Sequence, residues 1–277
     1  MENINVHTVA AKSQQAADQT LAIVVQNDGY CFCTAAGSPW QIARIYARSF
    51  ANDWEGLSPS ELFNKLQDTH SELKADYRQV HLTVQSTRFT PVPASVYRDG
   101  TGTDYFELVF GRIDNEQLHR DTVERLDLQL ISAFPIGLSG ASAIHFKPLK
   151  LYSQMAVMLN RFARIAKKAG SEMYLGIENN HLFISLFRDG QPEALNSFSI
   201  YKAEDALYFC SLLSNDKSCR IRLYGSGLLL METKDLLAKY YESCSLLSND
   251  DLIAFDAQLA ALPAQQLQVL FACLCAS

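Results

Sequence analysis

The chain has 277 residues, of which 48% are apolar, and its formal net charge is −6. This length suits one large domain or two of ordinary size, and the apolar content excludes a wholly disordered chain. Because lysine and arginine are not clustered and no like charges run together, the composition favours neither nucleic acid nor an anionic membrane as a partner.

The N-terminal half predicts a hairpin of two strands, then a strand, a helix and a strand, after a flexible tail at residues 1–19. The strands are expected at residues 21–26, 30–36, 44–50 and 77–84, with the hairpin turn at residues 27–29. Ser58 and Glu61 have the spacing of a capping box and Pro59 suits a first turn, so we expect the helix to begin there.

The middle of the chain predicts further strands and one long helix. Strands are expected at residues 105–111, 117–124, 126–134 and 144–147. Residues 151–169 repeat apolar side chains every three or four positions, which is typical of a helix with one buried face. Lys167, Lys168 and Gly170 suit its C-terminus. We expect this helix to connect two lobes.

The C-terminal half repeats the order of elements found in the N-terminal half. It predicts strands at residues 173–178, 181–187, 194–200 and 219–224, and a helix at residues 203–213. Placing Leu21 on Met173 aligns the two hairpin turns and, within two residues, the third strands. We interpret this as an internal duplication, with lobes at residues 20–150 and 171–277 joined by a connecting helix at residues 151–170.

Two more helices are expected near the C-terminus. The first follows the strand at residues 219–224 and is expected to be capped by Thr233. The second begins near Pro263 and is expected to bury its apolar side chains, which are Leu267, Leu270, Phe271 and Leu274.

The cysteines and the N-terminus indicate the cellular setting. The seven cysteines are odd in number and include no Cys-x-x-Cys pair, so we expect reduced and buried thiols. No secretory signal is visible, and the longest apolar runs are too short to span a bilayer. We therefore expect a cytoplasmic bacterial protein with no membrane partner.

Three segments carry a resemblance to a known family: the hairpin at residues 21–33, the run Arg-Phe-Thr-Pro-Val-Pro at residues 88–93, and residues 195–209. The chain resembles a domain-of-unknown-function family from Bacteroidetes bacteria over about residues 20–245. The resemblance implies an actin-like ATPase fold of the α/β class, in which two ribonuclease H-like lobes each carry a mixed five-stranded sheet flanked by helices. It implies a shape and no activity.

In an actin-like ATPase the first hairpin of each lobe wraps the phosphates, and an acid ending each first strand serves the magnesium ion and the attacking water. Here the first strand ends in Gln26, unless Asp28 substitutes for the acid, and Gly29 is the one glycine of the turn. The second hairpin keeps an acid, Glu178, but Asn179 follows it in place of a glycine. We interpret both segments as ordinary hairpin turns.

A third segment resembles the adenosine loop of the fold. Gly225, Ser226 and Gly227 form a Gly-x-Gly turn directly after a predicted strand. The alternative interpretation is a plain connection between a strand and a helix. The vestigial cleft candidates are therefore seven residues, namely Asp28, Gly29, Glu178, Asn179, Gly225, Ser226 and Gly227. The sequence predicts neither a catalytic residue nor a metal site.

Other catalytic chemistries have no motif in the chain. There is no P-loop, no Gly-x-Ser-x-Gly elbow and no zinc pair among the six histidines. A ribonuclease H-like nuclease needs clustered carboxylates, but the corresponding strands end in Gln26, Gln85 and Tyr224. We therefore expect a non-catalytic actin-like scaffold, a pseudo-ATPase without a cofactor that binds another protein or itself. The alternative is a divergent ATPase that binds Mg-ATP between the lobes.

Overall fold

The computed structural model describes residues 4–8, 15–50, 54, 56–247, 253–254 and 267–276. The strands are β1 (Ile4–Thr8), β2 (Thr20–Gln26), β3 (Gly29–Ala36), β4 (Trp40–Ser49), β5 (Gln79–Val84), β6 (Phe89–Pro93), β7 (Glu116–Val123), β8 (Leu128–Pro135), β9 (Leu149–Ser153), β10 (Ser171–Glu178), β11 (His181–Arg188), β12 (Gln191–Ser199), β13 (Arg220–Gly225), β14 (Ser243–Leu246) and β15 (Ile253–Ala254). The helices are α1 (Pro59–Thr69), α2 (Gly102–Phe110), α3 (Leu138–His145), α4 (Gln154–Ile165), α5 (Ala203–Leu213), α6 (Leu228–Leu237) and α7 (Gln268–Leu274).

Two mixed sheets with the same connectivity form the framework. In the first, the order is β4-β3-β2-β5-β9. Strand β3 runs antiparallel to its neighbours β2 and β4, whereas β5 and β9 run parallel to β2. In the second, β12-β11-β10-β13-β14 repeats that order and those directions. The predicted duplication is confirmed. The first sheet is extended at its edge by β1 and β15, so residues 4–8 of the predicted tail form a strand.

A smaller three-stranded sheet, β6-β8-β7, carries α2. The strand predicted at residues 105–111 is wrong, because this segment is α2. Phe106 and Phe110 lie four residues apart with ring centroids 4.7 Å apart, and Phe106 is fully buried. These aromatic residues follow the helical period. Gly111, with φ of 73°, ends the helix.

Two other expectations about helices and strands are wrong. The strand predicted at residues 144–147 is wrong, because Ile144 and His145 end α3 and the two residues after them are in neither a helix nor a strand. Leu138 and Ala141 of α3 are buried against α1 and its neighbours. Thr233 is not a cap, because α6 begins after Gly227 and buries Thr233 in its interior turn. Each prediction followed a local signal, namely the alternation of apolar and polar residues at 144–147 and the preference of threonine for helix caps, and the helix formed by the surrounding segment overrides it.

Helix α4 lies between the two large sheets. The helix predicted at residues 151–169 is shorter at both ends, because Leu149–Ser153 pairs with β5 as a parallel strand and the helix ends at Ile165. Ser153 caps it by accepting from the Ala156 N–H. Its buried apolar side chains share one core with strands of both sheets, so the two lobes are packed together through this helix.

Helix α7 buries the four apolar side chains that the sequence predicted, whereas Pro263 lies outside the described residues. Its contacts are with β2, β3 and β5 of the first sheet and with α4. We expected residues 171–277 to form the second lobe, but this part of the segment packs on the first sheet.

The capping box at Ser58 and Glu61 is confirmed. All seven cysteines are free thiols, and five of them are buried. Within the described ranges, no helix is long and apolar enough to cross a membrane.

Candidate functional site at the junction of the lobes

Four polar side chains meet where the first strands of the two lobes end. Gln26 is the last residue of β2, Gln85 follows β5, and Glu178 is the last residue of β10. Gln154 is the first residue of α4. All four are at least nine-tenths buried. In an actin-like fold this is the place where both lobes face the phosphates of a nucleotide.

A chain of hydrogen bonds crosses this junction. The Asn27 backbone N–H donates to Gln85 Oε1 over 2.8 Å. Gln85 Nε2 donates in turn to Glu178 Oε2 over 2.9 Å, and Gln154 Nε2 donates to the same oxygen over 2.9 Å. Side-chain amides of the chain itself therefore satisfy the carboxylate, and a donor of the first hairpin is already in use.

The surroundings of Glu178 favour its protonated form. The pKa of Glu178 is raised to about 7, mainly by burial and in part by the charge of Asp28, while hydrogen bonds from Gln154 and Gln26 act in the opposite direction. Gln26 Oε1 and Gln154 Oε1 are buried, and neither has a donor within the described part of the chain.

A cavity of 720 Å³ lies beside this network. Phe50 and Trp54 form part of its wall, with ring centroids 5.4 Å apart. Asp28 reaches it from the first hairpin and Asn179 from the second, so both lobes contribute. The cavity lies between the hairpins, the end of β5 and the first turns of α1 and α3.

The hairpin turns have structural explanations. Asn27 and Asp28 form a two-residue turn, and Gly29 begins β3. A Cβ atom on Gly29 would lie 2.4 Å from the Arg48 carbonyl oxygen, so the close approach of β4 requires a glycine there. Asn179 adopts a left-handed conformation with φ of 52°, which asparagine tolerates in tight turns.

The Gly-x-Gly turn is also held by the sheet. Gly225 has φ of 122°, and a Cβ atom there would lie 1.9 Å from the Ile177 carbonyl oxygen. The Ser226 N–H donates to that same oxygen over 3.2 Å. Gly227, with φ of 89°, directly precedes α6. Gly225, Ser226 and Gly227 do not line the 720 Å³ cavity.

The lobes make further contacts outside the network. Ser197 Oγ on β12 donates to the Thr87 carbonyl oxygen. The rings of Phe89 and Phe183 stack with centroids 6.4 Å apart. These contacts, together with α4, hold the two lobes against each other around the buried glutamate.

The structure brings together Asp28, Glu178 and Asn179, and it places the other four candidates in backbone roles. Sequence reasoning missed Gln85 and Gln154 as members of the site. Gln85 gave a signal, since it follows a strand parallel to β2, whereas Gln154 was hidden inside the helix predicted from residue 151. Among the described residues, no three His, Cys, Asp or Glu side chains are grouped to hold a metal ion.

The comparisons agree with this architecture. A family model described as "Protein of unknown function (DUF3822)" matches residues 10–244. The chain belongs to this family. No curated protein matches this DUF3822 chain in sequence.

Solved structures show that the DUF3822 chain has an actin-like ATPase fold. It is similar to a Bacteroides thetaiotaomicron protein with that fold and unknown function, at 18% identity and a TM-score of 0.75, over 84% of this chain and 91% of the other. It is also similar to a chain of the PilM–PilN type IV pilus biogenesis complex, at 12% identity and a TM-score of 0.65, over 93% and 98%. The ethanolamine utilization protein EutJ from Carboxydothermus hydrogenoformans gives 8% identity and a TM-score of 0.50, over 96% and 92%.

Proposed function

We propose that this chain is a non-catalytic actin-like scaffold that binds another protein or itself. One observation carries the proposal: amides of Gln85 and Gln154 donate to Glu178, the one acid that keeps the position of a phosphate-site carboxylate. The position that a nucleotide would need is taken by the chain's own side chains.

The residues present do not fit a magnesium–nucleotide complex. Magnesium prefers ionised carboxylate oxygens, but Gln26 replaces the acid of the first lobe and burial favours a protonated Glu178. Phosphates need free backbone donors at the hairpins, but the Asn27 N–H is bonded to Gln85. We therefore derive no catalytic step through such a complex.

An exposed apolar surface on the second lobe supports a docking role. Tyr208 and Leu212 lie one turn apart on α5 and are 59% and 64% exposed, and Tyr201 just before the helix is 79% exposed. Exposed tyrosines are frequent anchors of protein interfaces. One similar structure comes from a complex, PilM–PilN, and we propose that this chain docks a protein in a comparable way.

Binding of a nucleotide at the lobe junction is tested with tryptophan fluorescence. Trp54 lines the junction cavity and Trp40 is the second of two tryptophans, so a Trp40→Phe variant reports on the junction alone. We expect millimolar Mg-ATP to leave its fluorescence unchanged and to release no phosphate. A saturable change with phosphate release would instead support the alternative function, a divergent ATPase. The observation that favours this alternative is the cavity that both lobes line.

The docking surface is tested by capture of partners with matched variants. We expect the unchanged chain to retain a partner protein or a second copy of itself. We expect a Tyr208→Ser, Leu212→Ser double variant to lose that partner. Leu108→Ser with Val109→Ser on α2 is the control, since these two side chains are also exposed and apolar. Equal retention by both double variants would contradict the proposed surface.

A further inference from the structure

A second large cavity lies at the end of the first sheet opposite the lobe junction. Its volume is 770 Å³. Thr20 begins β2, Gln79 begins β5, and Lys150 lies at the start of β9, and all three line it. Because β2, β5 and β9 run parallel and β2 and β5 end at the junction, these starting residues lie at the far end of the sheet.

The lining of this cavity is strongly basic. Four cationic side chains from four separate segments converge on it, and these are Arg78, Arg125, Lys150 and Arg164. No aspartate or glutamate is among the described residues that line it. In a chain with net charge −6, this convergence of like charges is a local exception. We call this space, lined by these four cations, the basic cavity.

Three of the four cations lack a carboxylate partner within the described ranges. Arg78, Arg125 and Lys150 form no ion pair there, and the Arg78 side chain reaches Thr20 Oγ1 over 3.5 Å. Several other arginines of the chain pair with acids, as Arg188 does with Glu193 at 2.8 Å. Convergent cations repel one another, and a concave wall of one charge sign concentrates a ligand of the opposite sign.

The floor of the basic cavity is built from ordered, buried groups. His81 is 1% exposed, and its Nδ1 donates to the Cys273 carbonyl oxygen over 3.0 Å. The His81 ring packs against Tyr152, whose hydroxyl donates to the Ala276 carbonyl oxygen. Burial lowers the pKa of His81, and the charges of Lys150 and Arg78 lower it further, as expected for cations that surround this ring.

The basic cavity continues into a neighbouring space of 520 Å³ through shared residues, which are Arg125, Arg164 and Cys275. That second space also contains Asp121 and Glu124. Asp121 is engaged, since it accepts from the Ser153 N–H at 3.0 Å and the Ser153 hydroxyl at 2.7 Å. The acidic residues Asp121 and Glu124 therefore lie beyond the basic cavity, and within the described residues they form no ion pair with Arg78, Arg125 or Lys150.

We propose that the basic cavity binds a small multivalent anion that carries phosphate or carboxylate groups. The volume is that of a small-molecule pocket, and arginine and lysine are the side chains that recognise such anions. The site is separate from the lobe junction, so this proposal does not depend on the scaffold function. The half-buried Trp40 lines the basic cavity and provides an optical probe at the site.

The test is a fluorescence titration of a Trp54→Phe variant, in which Trp40 is the single tryptophan. Sodium tripolyphosphate and sodium citrate are added separately at low and constant ionic strength. We expect a saturable change with at least one of them. An added Arg125→Ala, Lys150→Ala double change is expected to weaken binding roughly tenfold or more, and both side chains are exposed, so the fold is retained.

The control is an Arg98→Ala, Lys168→Ala double change, which removes the same charge from exposed positions outside the cavity. It is expected to bind as the parent does. Comparing the binding of tripolyphosphate with that of citrate shows whether the basic cavity prefers phosphate or carboxylate groups. No saturable change in the millimolar range, equal weakening by both double changes, or a response of Trp54 in the Trp40→Phe variant to either anion would overturn the proposal.

Discussion

Replacing Glu178 by glutamine is expected to stabilise the chain above about pH 7. A glutamate has an ordinary pKa of 4.5, and burial raises the pKa of Glu178 to about 7. The folded state therefore keeps the proton to a higher pH than the unfolded state does. The contribution of Glu178 to the free energy of unfolding is therefore largest below about pH 4.5, falls as the pH rises from there to about 7, and is constant above about pH 7.

The magnitude follows from the difference between the two pKa values. At 1.36 kcal/mol for each pKa unit, ionising the buried carboxyl costs about 3 kcal/mol of unfolding free energy. Glutamine never ionises. Its Oε1 can accept from Gln85 and Gln154, as the carboxylate oxygen does. The variant keeps the hydrogen bonds and avoids the charge.

The assay is urea unfolding at a series of pH values between about 5 and 8. We expect the variant to exceed the parent by about 3 kcal/mol near pH 8 and to match it within about 1 kcal/mol near pH 5. Glu124→Gln is the control, because this side chain is exposed, and its unfolding curve should follow the parent. A Glu178→Gln variant that is less stable than the parent near pH 8 would refute the reasoning.

Further predictions concern the same strand, the glycine turn and catalysis. Burial raises the pKa of Glu172, but hydrogen bonds from the Lys167 N–H and from Arg220 outweigh it and hold that pKa below its usual range. Glu172→Gln should therefore destabilise the chain by about 1–3 kcal/mol at neutral pH, and urea unfolding should show this loss shrinking as the pH falls through the lowered pKa. Gly225→Ala should cost several kcal/mol in urea unfolding, against about 1 kcal/mol for Gly227→Ala, which has open space at its Cβ; equal costs would contradict the close contact. The purified chain should release no phosphate from Mg-ATP above a blank, and turnover would contradict the scaffold.

The order of the hairpin, third strand, helix and following strand along each lobe was predictable because it rests on local signals. The hairpin turns at residues 27–28 and 179–180 interrupt continuous apolar runs, and Ser58 with Glu61 marks the start of α1. Such signals act over a few residues and hold wherever the segment lies in the fold. The duplication followed from their order.

The segments around residues 105–111 and 144–147 were not predictable in the same way. They are short, and the helices that include or precede them are stabilised by packing of Phe106 on the small sheet and of α3 against α1. β9 was missed because its side chains continue the apolar pattern of α4, so pairing with β5 decides where the strand ends.

The glutamine network could not be read from the sequence. Gln85 and Gln154 lie far from Glu178 along the chain, and they meet only because β5 and β10 end, and α4 begins, at one place. The strand-end position of Gln85 was visible, but its partner was not. The basic cavity could not be predicted from the sequence either, because its cations come from separate segments of the chain.

The most direct measurement is a crystal structure of the chain after exposure to magnesium and a non-hydrolysable ATP analogue. The account predicts that Gln85 and Gln154 still donate to Glu178 and that no nucleotide lies between the lobes. A magnesium-bound nucleotide at the junction, with the two amides displaced from Glu178, would contradict it.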